Sequence, residues 1–423
     1  MSQVVITPKN LSGKVTIPPS KSDVHRALIC AALSKGKSTL YPVDLSNDIK
    51  ATISCIEALG GKIQYHNKRI TVDGSHLFEN KNAVLNCGES GSTLRFFIPV
   101  AAAGNVSAVF NGEGRLPERP IGIYLDALPK AGVKCKTLGG LPLEISGQLE
   151  SGVFEIPGNV SSQFITGLLF ALPLLKGDSE IVLTSPLESI GYINMTIEVM
   201  KKFGVEIIVQ DNKYIIKGNQ TYKPCDYKTH GDWSQAAFFM CAGALKGEIT
   251  VNGVDISSTQ GDKEIVNILK RFGADVTVKD NSVSVKQNKL GAIEIDARQI
   301  PDLVPVLAVT GAFAKGTTRI INAERLRIKE SDRLWAISNA LNALGAKVRE
   351  LPDGLEITGV DKLTGGTVQG CNDHRIVMAM SVAATMADKP VTITDAFSIN
   401  KSYPDFFEDY NSLGGNANVI NMG

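Results

Sequence analysis

The sequence predicts a mixed α/β chain made of six similar units and folded as two similar lobes. Three observations carry that expectation. Two independent marker series recur about every 70 residues, one helix in each unit is apolar nearly all round, and 423 residues exceed one ordinary core but suit two.

The first series consists of apolar segments that open on small or polar residues. They are SKSDVHRALICAAL from Ser20, SGSTLRFFIPVAAAG from Ser90, SSQFITGLLFALPLL from Ser161, DWSQAAFFMCAGAL from Asp232, DLVPVLAVTGAFAKG from Asp302 and DHRIVMAMSVAATMA from Asp373, and their starts fall 70 or 71 residues apart. A helix apolar on every side belongs in a core. The second series keeps step. EALGGKIQ, KAGVKC, KKFGVEIIV, KRFGADVTV and NALGAKV each close an amphipathic helix on glycine and turn into a β-like run. Those glycines are Gly61, Gly132, Gly204, Gly273 and Gly345, with Gly414 as the sixth, at spacings of 69 to 72. Strand patterns such as STLYPV and EITVNG sit between the two helices, and RITV and VSVK follow them.

Three units per lobe place one lobe at 20–227 and the other at 1–19 plus 228–423. The stretch VVITPKNLSGKVTIP at 4–18 precedes the first unit and reads as a strand that joins the second lobe. The chain then crosses between lobes near 19–20 and again near 227–230, where TYKPCDYKTH is polar.

Composition excludes several classes of function. The hydrophobic share of 43% and charged share of 21% are those of a globular protein, and a net charge of +1 argues against a broad nucleic-acid face. The start MSQVVITPKNLSGKV carries no apolar leader, and no uninterrupted apolar run spans a bilayer; FITGLLFALPLL suits a buried helix. The expectation is a cytoplasmic protein with no membrane or nucleic-acid partner. The seven cysteines form no CxxC pair and read as reduced thiols.

The starts of the apolar helices carry the chemistry. Ser20-Lys21-Ser22, Ser90-Gly91-Ser92, Ser161-Ser162-Gln163, Asp302 and Asp373-His374-Arg375 offer capping groups at helix N-termini, where free N–H groups attract anions. Lys21, Arg26, Arg95, Arg119, Lys329, Arg333, Arg375 and Lys401 lie at or near these starts. Arginines in an otherwise apolar first turn are expensive to bury alone, and a substrate with several negative charges would offset that. Asp302, expected to cap the fifth apolar helix, and Glu330 in RLRIKESDRL stand among the cations. They either balance charge or move protons. SKGKST at 34–39 lacks the first glycine of a phosphate loop, because Ala31 stands there, and GEGRLPER breaks GxGxxG at Pro117. Neither HExxH nor a Cys/His cluster indicates a metal, and His25, His66, His76 and His230 read as solvated or structural.

Over essentially its whole length the chain resembles the 5-enolpyruvylshikimate-3-phosphate synthases, a family of enolpyruvyl transferases. SKSDVHRALICAAL at 20–33, RPIG at 119–122, VSSQFITGLL at 160–169, RIKESDRL at 327–334, DHRIVMA at 373–379 and KSYPDFF at 401–407 carry the resemblance. It implies an inverse α/β barrel fold, two lobes of three βαβαββ repeats with buried parallel helices, and an active site in the cleft between lobes. Lys21, Ser22, Arg26, Ser161, Ser162, Gln163, Ser189, Tyr192, Asp302 and Lys329 match residues around shikimate 3-phosphate. Lys21, Gly91, Arg95, Arg119, Gln163, Arg333, Arg375 and Lys401 match those around phosphoenolpyruvate, and Asp302, Glu330, Lys21 and His374 match the groups that handle protons. The implied enzyme needs no cofactor or metal and is a monomer. The chain departs from the commoner pattern at Glu89, Ser90, Ser92, Phe96 and Arg325; Gly91 keeps the smallest residue where glyphosate, an inhibitor of this family, would bind.

Two rival readings differ in observable ways. UDP-N-acetylglucosamine enolpyruvyl transferases carry a cysteine in the loop before their RP motif, whereas GEGRLPERPIG has none. A non-catalytic polyanion-binding repeat protein would need the cations but not Asp302 and Glu330 among them. Cations on two lobes repel until an anion bridges them, so shikimate 3-phosphate should draw the lobes together. Small-angle scattering should then record a smaller radius of gyration with ligand; an unchanged radius argues against closure.

Overall fold

Residues 2–421 are described by the structure, a computed structural model. The chain divides into two compact units, one running from Pro19 to Thr229 and the other joining the segment up to Pro18 with His230 onward.

In the unit 19–229 the repeat is plainest at its centre. Strand Asn82–Asn86 leads into helix α3 (Gly91–Ala103), then strand Ser107–Asn111, the short α4 (Gly122–Ala127) and a hairpin of Lys134–Lys136 and Leu143–Ser146. The first two strands pair in parallel, and the hairpin adds antiparallel with its second strand inside. The unit's other buried helices are α1 (Lys21–Leu33) and α5 (Ser162–Ala171), and its other amphipathic ones are α2 (Asn47–Ala58) and α6 (Ile190–Lys202). The sheet of the first repeat obtains its parallel edge strand from Asp226–Lys228, which pairs with Lys37–Tyr41. The polar tail of the third repeat therefore closes the unit back onto its first.

The other unit repeats the plan with buried helices α7 (Trp233–Leu245), α9 (Val304–Gly311) and α11 (His374–Ala384), and amphipathic helices α8 (Ile265–Phe272), α10 (Arg333–Ala343) and α12 (Phe406–Ser412). Here the single N-terminal strand expected over 4–18 is two strands. Leu11–Thr16 pairs in parallel with Gly247–Asn252, while Ser2–Ile6 lies between Val391–Thr394 and Ala417–Asn421, antiparallel to both. Pro8, which cannot donate to a ladder, falls between the two strands. Every residue of α7 is buried, as its apolar composition demands.

Two capping expectations change. In the first repeat the left-handed residue is Gly60 (φ +105°), not Gly61; from Gly132 through Gly414 the expected glycines have positive φ. Ser20, Ser90, Ser161, Asp232 and Asp373 each cap a helix through the side chain. Asp302 does not. It lies within a 3-10 turn, Pro301–Leu303, ahead of α9, and its carboxylate turns to arginines instead.

One packing detail positions α3. Pro99 has no N–H, so the carbonyl of Arg95, one turn earlier, loses its helical partner. The hydroxyl of buried Tyr124 lies 2.8 Å from that carbonyl and 2.8 Å from that of Phe164 on α5, sharing its proton between them. Gly167 makes the approach possible, since a Cβ there would sit 2.3 Å from both the Arg95 carbonyl and the Tyr124 hydroxyl. Tyr124→Phe should lower unfolding free energy by about 1–3 kcal/mol, the penalty of a buried unsatisfied group. Urea titration should show the lower midpoint at an unchanged slope.

Candidate active site

In the unit 19–229 the first turns of four helices gather the expected cations and serines. Lys21 on α1 pairs with Asp48 on α2, Nζ to Oδ2 at 2.6 Å, both nearly buried. Arg26, one turn and a half further, donates from Nε to Thr196 Oγ1 (2.8 Å), from Nη1 to the Ser22 carbonyl (2.8 Å) and from Nη2 to the Tyr192 carbonyl (3.1 Å). Its guanidinium lies over the rings of Phe96 and Tyr192. Burial lowers its pKa to about 10. Arg95 on α3 donates from Nη1 to Gln163 Oε1 at 2.6 Å and from Nη2 to the Pro120 carbonyl at 3.1 Å, with its guanidinium over Phe164. Gln163 donates on to Ser92 Oγ at 2.9 Å, which ties the starts of α3 and α5 together. Gly91 faces Arg119 so closely that a Cβ would lie 2.7 Å from Nη1, so a side chain there would displace the guanidinium. Ser162 is buried at the start of α5, and Ser189 holds a left-handed conformation (φ +56°) just before α6, on which Tyr192 follows.

In the other unit one guanidinium organises the site. Arg333, the first residue of α10 and 1% exposed, donates from Nη1 to Asp302 Oδ1 (2.9 Å), from Nη2 to Glu330 Oε2 (2.8 Å) and from Nε to Asp373 Oδ2 (2.8 Å). Asp302 also accepts from Arg375 Nη2 at 3.0 Å, and its carbonyl accepts from Arg375 Nη1 at 3.2 Å. Asp373 accepts from Ser331 Oγ at 3.0 Å and, through its other oxygen, from the backbone N–H of Arg375 at 2.9 Å. His374 is buried beside it, and Lys401 Nζ donates to the Asn372 carbonyl at 2.5 Å.

Burying these charges sets their pKa values. Desolvation pushes Asp302 upward, but Arg375, Lys329 and Arg333 outweigh it and hold the carboxyl well below its usual range. Desolvation likewise works against the Arg333 cation, and Asp373, Glu330 and Asp302 more than reverse it. Lys329 lacks a comparable excess of partners; burial first, then Arg325 and Arg333, bring its ammonium down to about 7. An amine that titrates near neutrality beside ionised carboxylates can give or take a proton at working pH. Asp262 moves the other way, pushed up to about 7 by burial and then by the charge of Asp302.

The structure thus brings Asp302, Glu330, Lys329, Arg333, His374 and Arg375 into one unit with Lys401, and Lys21, Ser22, Arg26, Gly91, Arg95, Arg119, Ser161, Ser162, Gln163, Ser189 and Tyr192 into the other. It corrects one expectation about them. The burial of Arg333 and Arg375 does not need a substrate anion to offset it, because carboxylates of the same unit compensate them. Sequence reasoning missed Asp48 and Asp262. Asp48 lies 27 residues from Lys21 in an ordinary first turn. Asp262, in QGDKE, reads as part of an exposed polar turn and is 3% exposed. Among the described residues no group of three or more His, Cys, Asp or Glu could hold a metal ion, and no helix is long and apolar enough to cross a membrane.

Six βαβαββ-type repeats with cations and hydroxyls at the starts of their buried helices define an enolpyruvyl transferase-type protein. The fold matches the solved EPSP synthase from Acinetobacter baumannii over 100% of both chains, with a TM-score of 0.84 and 26% identity. It also matches the enolpyruvyl transferase NikO from Streptomyces tendae, TM-score 0.82 at 19% identity over 100% of this chain and 99% of that one. The family model described as EPSP synthase (3-phosphoshikimate 1-carboxyvinyltransferase) matches residues 5–410. Proteins named 3-phosphoshikimate 1-carboxyvinyltransferase are 46% identical in Clostridium novyi, over 100% of both chains, and 48% identical in Clostridium perfringens, over 98% of this chain and 99% of the relative. The chain belongs to the EPSP synthase family.

The raised pKa of Asp262 has a stability consequence with a definite sign. The unfolded chain releases this proton near pH 3.8 and the folded chain near 7, so the folded state binds more protons between them. Stability from this group is full below the lower value and falls as pH rises to the upper one. Asp262→Asn removes that loss. The variant should gain on the parent between pH 4 and 7 by about 1 kcal/mol or more, with no further gain above, in urea titrations across the range.

Proposed function

We propose that the chain transfers the enolpyruvyl group of phosphoenolpyruvate to the 5-hydroxyl of shikimate 3-phosphate and releases inorganic phosphate. The hydroxyl adds to C2 while C3 gains a proton, and the tetrahedral adduct then loses a C3 proton and phosphate. The observation that carries this reading is the pair Asp302 and Glu330, held at 2.9 and 2.8 Å on the buried guanidinium of Arg333.

Both units contribute side chains in this reading. Ser161, Ser162 and Gln163 hold the shikimate phosphate at the start of α5, with Lys21, Ser22, Ser189, Tyr192 and Lys329 around the rest of that substrate. Arg26 joins them around that substrate, since two of its five N–H donors remain beyond those that serve Thr196, Ser22 and Tyr192. Arg95, Arg119, Arg375, Lys401, Lys21, Gln163 and the Gly91 backbone surround phosphoenolpyruvate, and Arg333 aligns the carboxylates. Asp302 and Glu330 are the groups within this set that exchange protons with the 5-hydroxyl and with carbon, with Lys21 assisting and His374 close behind. Glyphosate, which carries a carboxylate and a phosphonate, competes for the same cations. The protein acts as a cytoplasmic monomer.

A coupled phosphate assay tests the reaction. Release should require both substrates and fail when UDP-N-acetylglucosamine replaces shikimate 3-phosphate; release with the nucleotide sugar, or none with the proper pair, overturns the assignment. Asp302→Asn, which keeps size and hydrogen bonds but not charge or basicity, should reduce turnover by roughly 10²–10⁴-fold while shikimate 3-phosphate still binds. A variant with near-normal kcat and a lowered thermal midpoint would reduce Asp302 to a counter-ion.

A further inference from the structure

His25 is a buried titratable group that the reaction above leaves unused. It sits on α1 one turn after Lys21, and α1 touches α2 through two rungs one turn apart. Lys21 Nζ meets Asp48 Oδ2 at 2.6 Å, and His25 Nδ1 meets Thr52 Oγ1 at 2.7 Å. From the second rung the contacts continue sideways. Thr52 Oγ1 lies 2.8 Å from Thr93 Oγ1 on α3, and Thr93 Oγ1 donates to Ser90 Oγ at 2.8 Å. Ser90 is the N-cap of α3 and also accepts the Thr93 backbone N–H at 3.2 Å. All four residues are buried.

Counting protons along this path fixes the histidine. Each hydroxyl owns one hydrogen. That of Thr93 goes to Ser90, so the hydrogen between the threonines belongs to Thr52, and the hydrogen between Thr52 and His25 belongs to Nδ1. Nε2 is then the unprotonated nitrogen. It is buried without a hydrogen-bond partner among the described residues, and the ring meets Phe96 edge-on at 6.4 Å between centroids. Burial first, then the Lys21 and Arg26 charges, hold the imidazole neutral.

We infer that His25, as its neutral Nδ1–H tautomer, is a positioning residue that locks the start of α3 against the start of α1. The inference rests on the enolpyruvyl transferase reading for its kinetic consequence. One end of the relay sets the helix that presents Lys21. The other sets the N-cap ahead of Gly91 and the turn that carries Arg95. These are side chains and backbone assigned to phosphoenolpyruvate, so a broken relay should be felt in its binding more than in turnover.

The test has two arms. Imidazole 15N–1H spectra, with His25→Asn to assign the signal, should show His25 protonated at Nδ1, bare at Nε2 and unchanged from pH 6 to 8. A proton on Nε2, or a titration near 6.5, overturns the inference. In kinetics, His25→Leu should raise KM for phosphoenolpyruvate roughly tenfold with kcat altered much less. His25→Asn, whose side-chain N–H replaces that of Nδ1, should restore KM to within about threefold of the parent. Thr93→Val interrupts the relay elsewhere and should match the leucine variant, which covers the case where His25→Leu does not fold. Leucine or valine variants with the parent KM, or an asparagine variant no better than leucine, overturn the positioning role. The spectroscopic arm is independent of catalysis, so a parent protein inactive as a transferase refutes the functional reading and leaves the tautomer to be decided by the spectra alone.

Discussion

Arg333 is the constraint on which the arrangement of buried carboxylates in its unit depends. Its guanidinium is 1% exposed and donates to Asp302, Glu330 and Asp373. A planar fork with five donors can bind carboxylates from several directions at once, which an ammonium cannot. Asp302 passes the attraction on to Arg375, and Asp373 combines it with the cap of α11. The turn before α9 and the starts of α10 and α11 are thereby held in one arrangement. Breaking a buried network of this kind by removing one partner leaves uncompensated charge, so its members should not be exchangeable one at a time.

The other unit solves the same problem differently. Arg26 and Arg95 are buried like Arg333, yet the donors described above reach hydroxyls, carbonyls and an amide. Neutral acceptors satisfy donor geometry without cancelling charge. At the start of α1, by contrast, Lys21 is paired with the carboxylate of Asp48. The contrast is one of acceptors: hydroxyl, carbonyl and amide oxygens for the donors of Arg26 and Arg95 described above, carboxylates for Arg333.

The further consequence is that precise placement in the anion-binding unit falls to short neutral relays. Tyr124 replaces the helical partner that Pro99 removes from Arg95, and the path from His25 through Thr52 and Thr93 reaches the cap of α3. Each link is modest alone, but in a dry interior an unmade link leaves a buried polar group unsatisfied.

Periodicity determined much of this protein directly. Spacings of 70 or 71 residues between apolar segments revealed six repeats, and the small and polar residues at their starts marked helix N-termini, because burial and capping act locally. Four of the five start residues read as caps do cap, at Ser20, Ser90, Ser161 and Asp373, and Asp232 caps α7 as well. What tertiary structure alone decided is which groups face which. Asp302 looked like a cap and is a partner of two arginines, because residues 31 and 73 positions away come within hydrogen-bond reach. Asp48 beneath Lys21, Asp262 near Asp302, the N-terminal segment split between two sheets, and the contact of His25 with Thr52 are equally invisible along the chain. Charge pairing, desolvation and proton sharing depend on distances across the fold, and a linear pattern does not encode them.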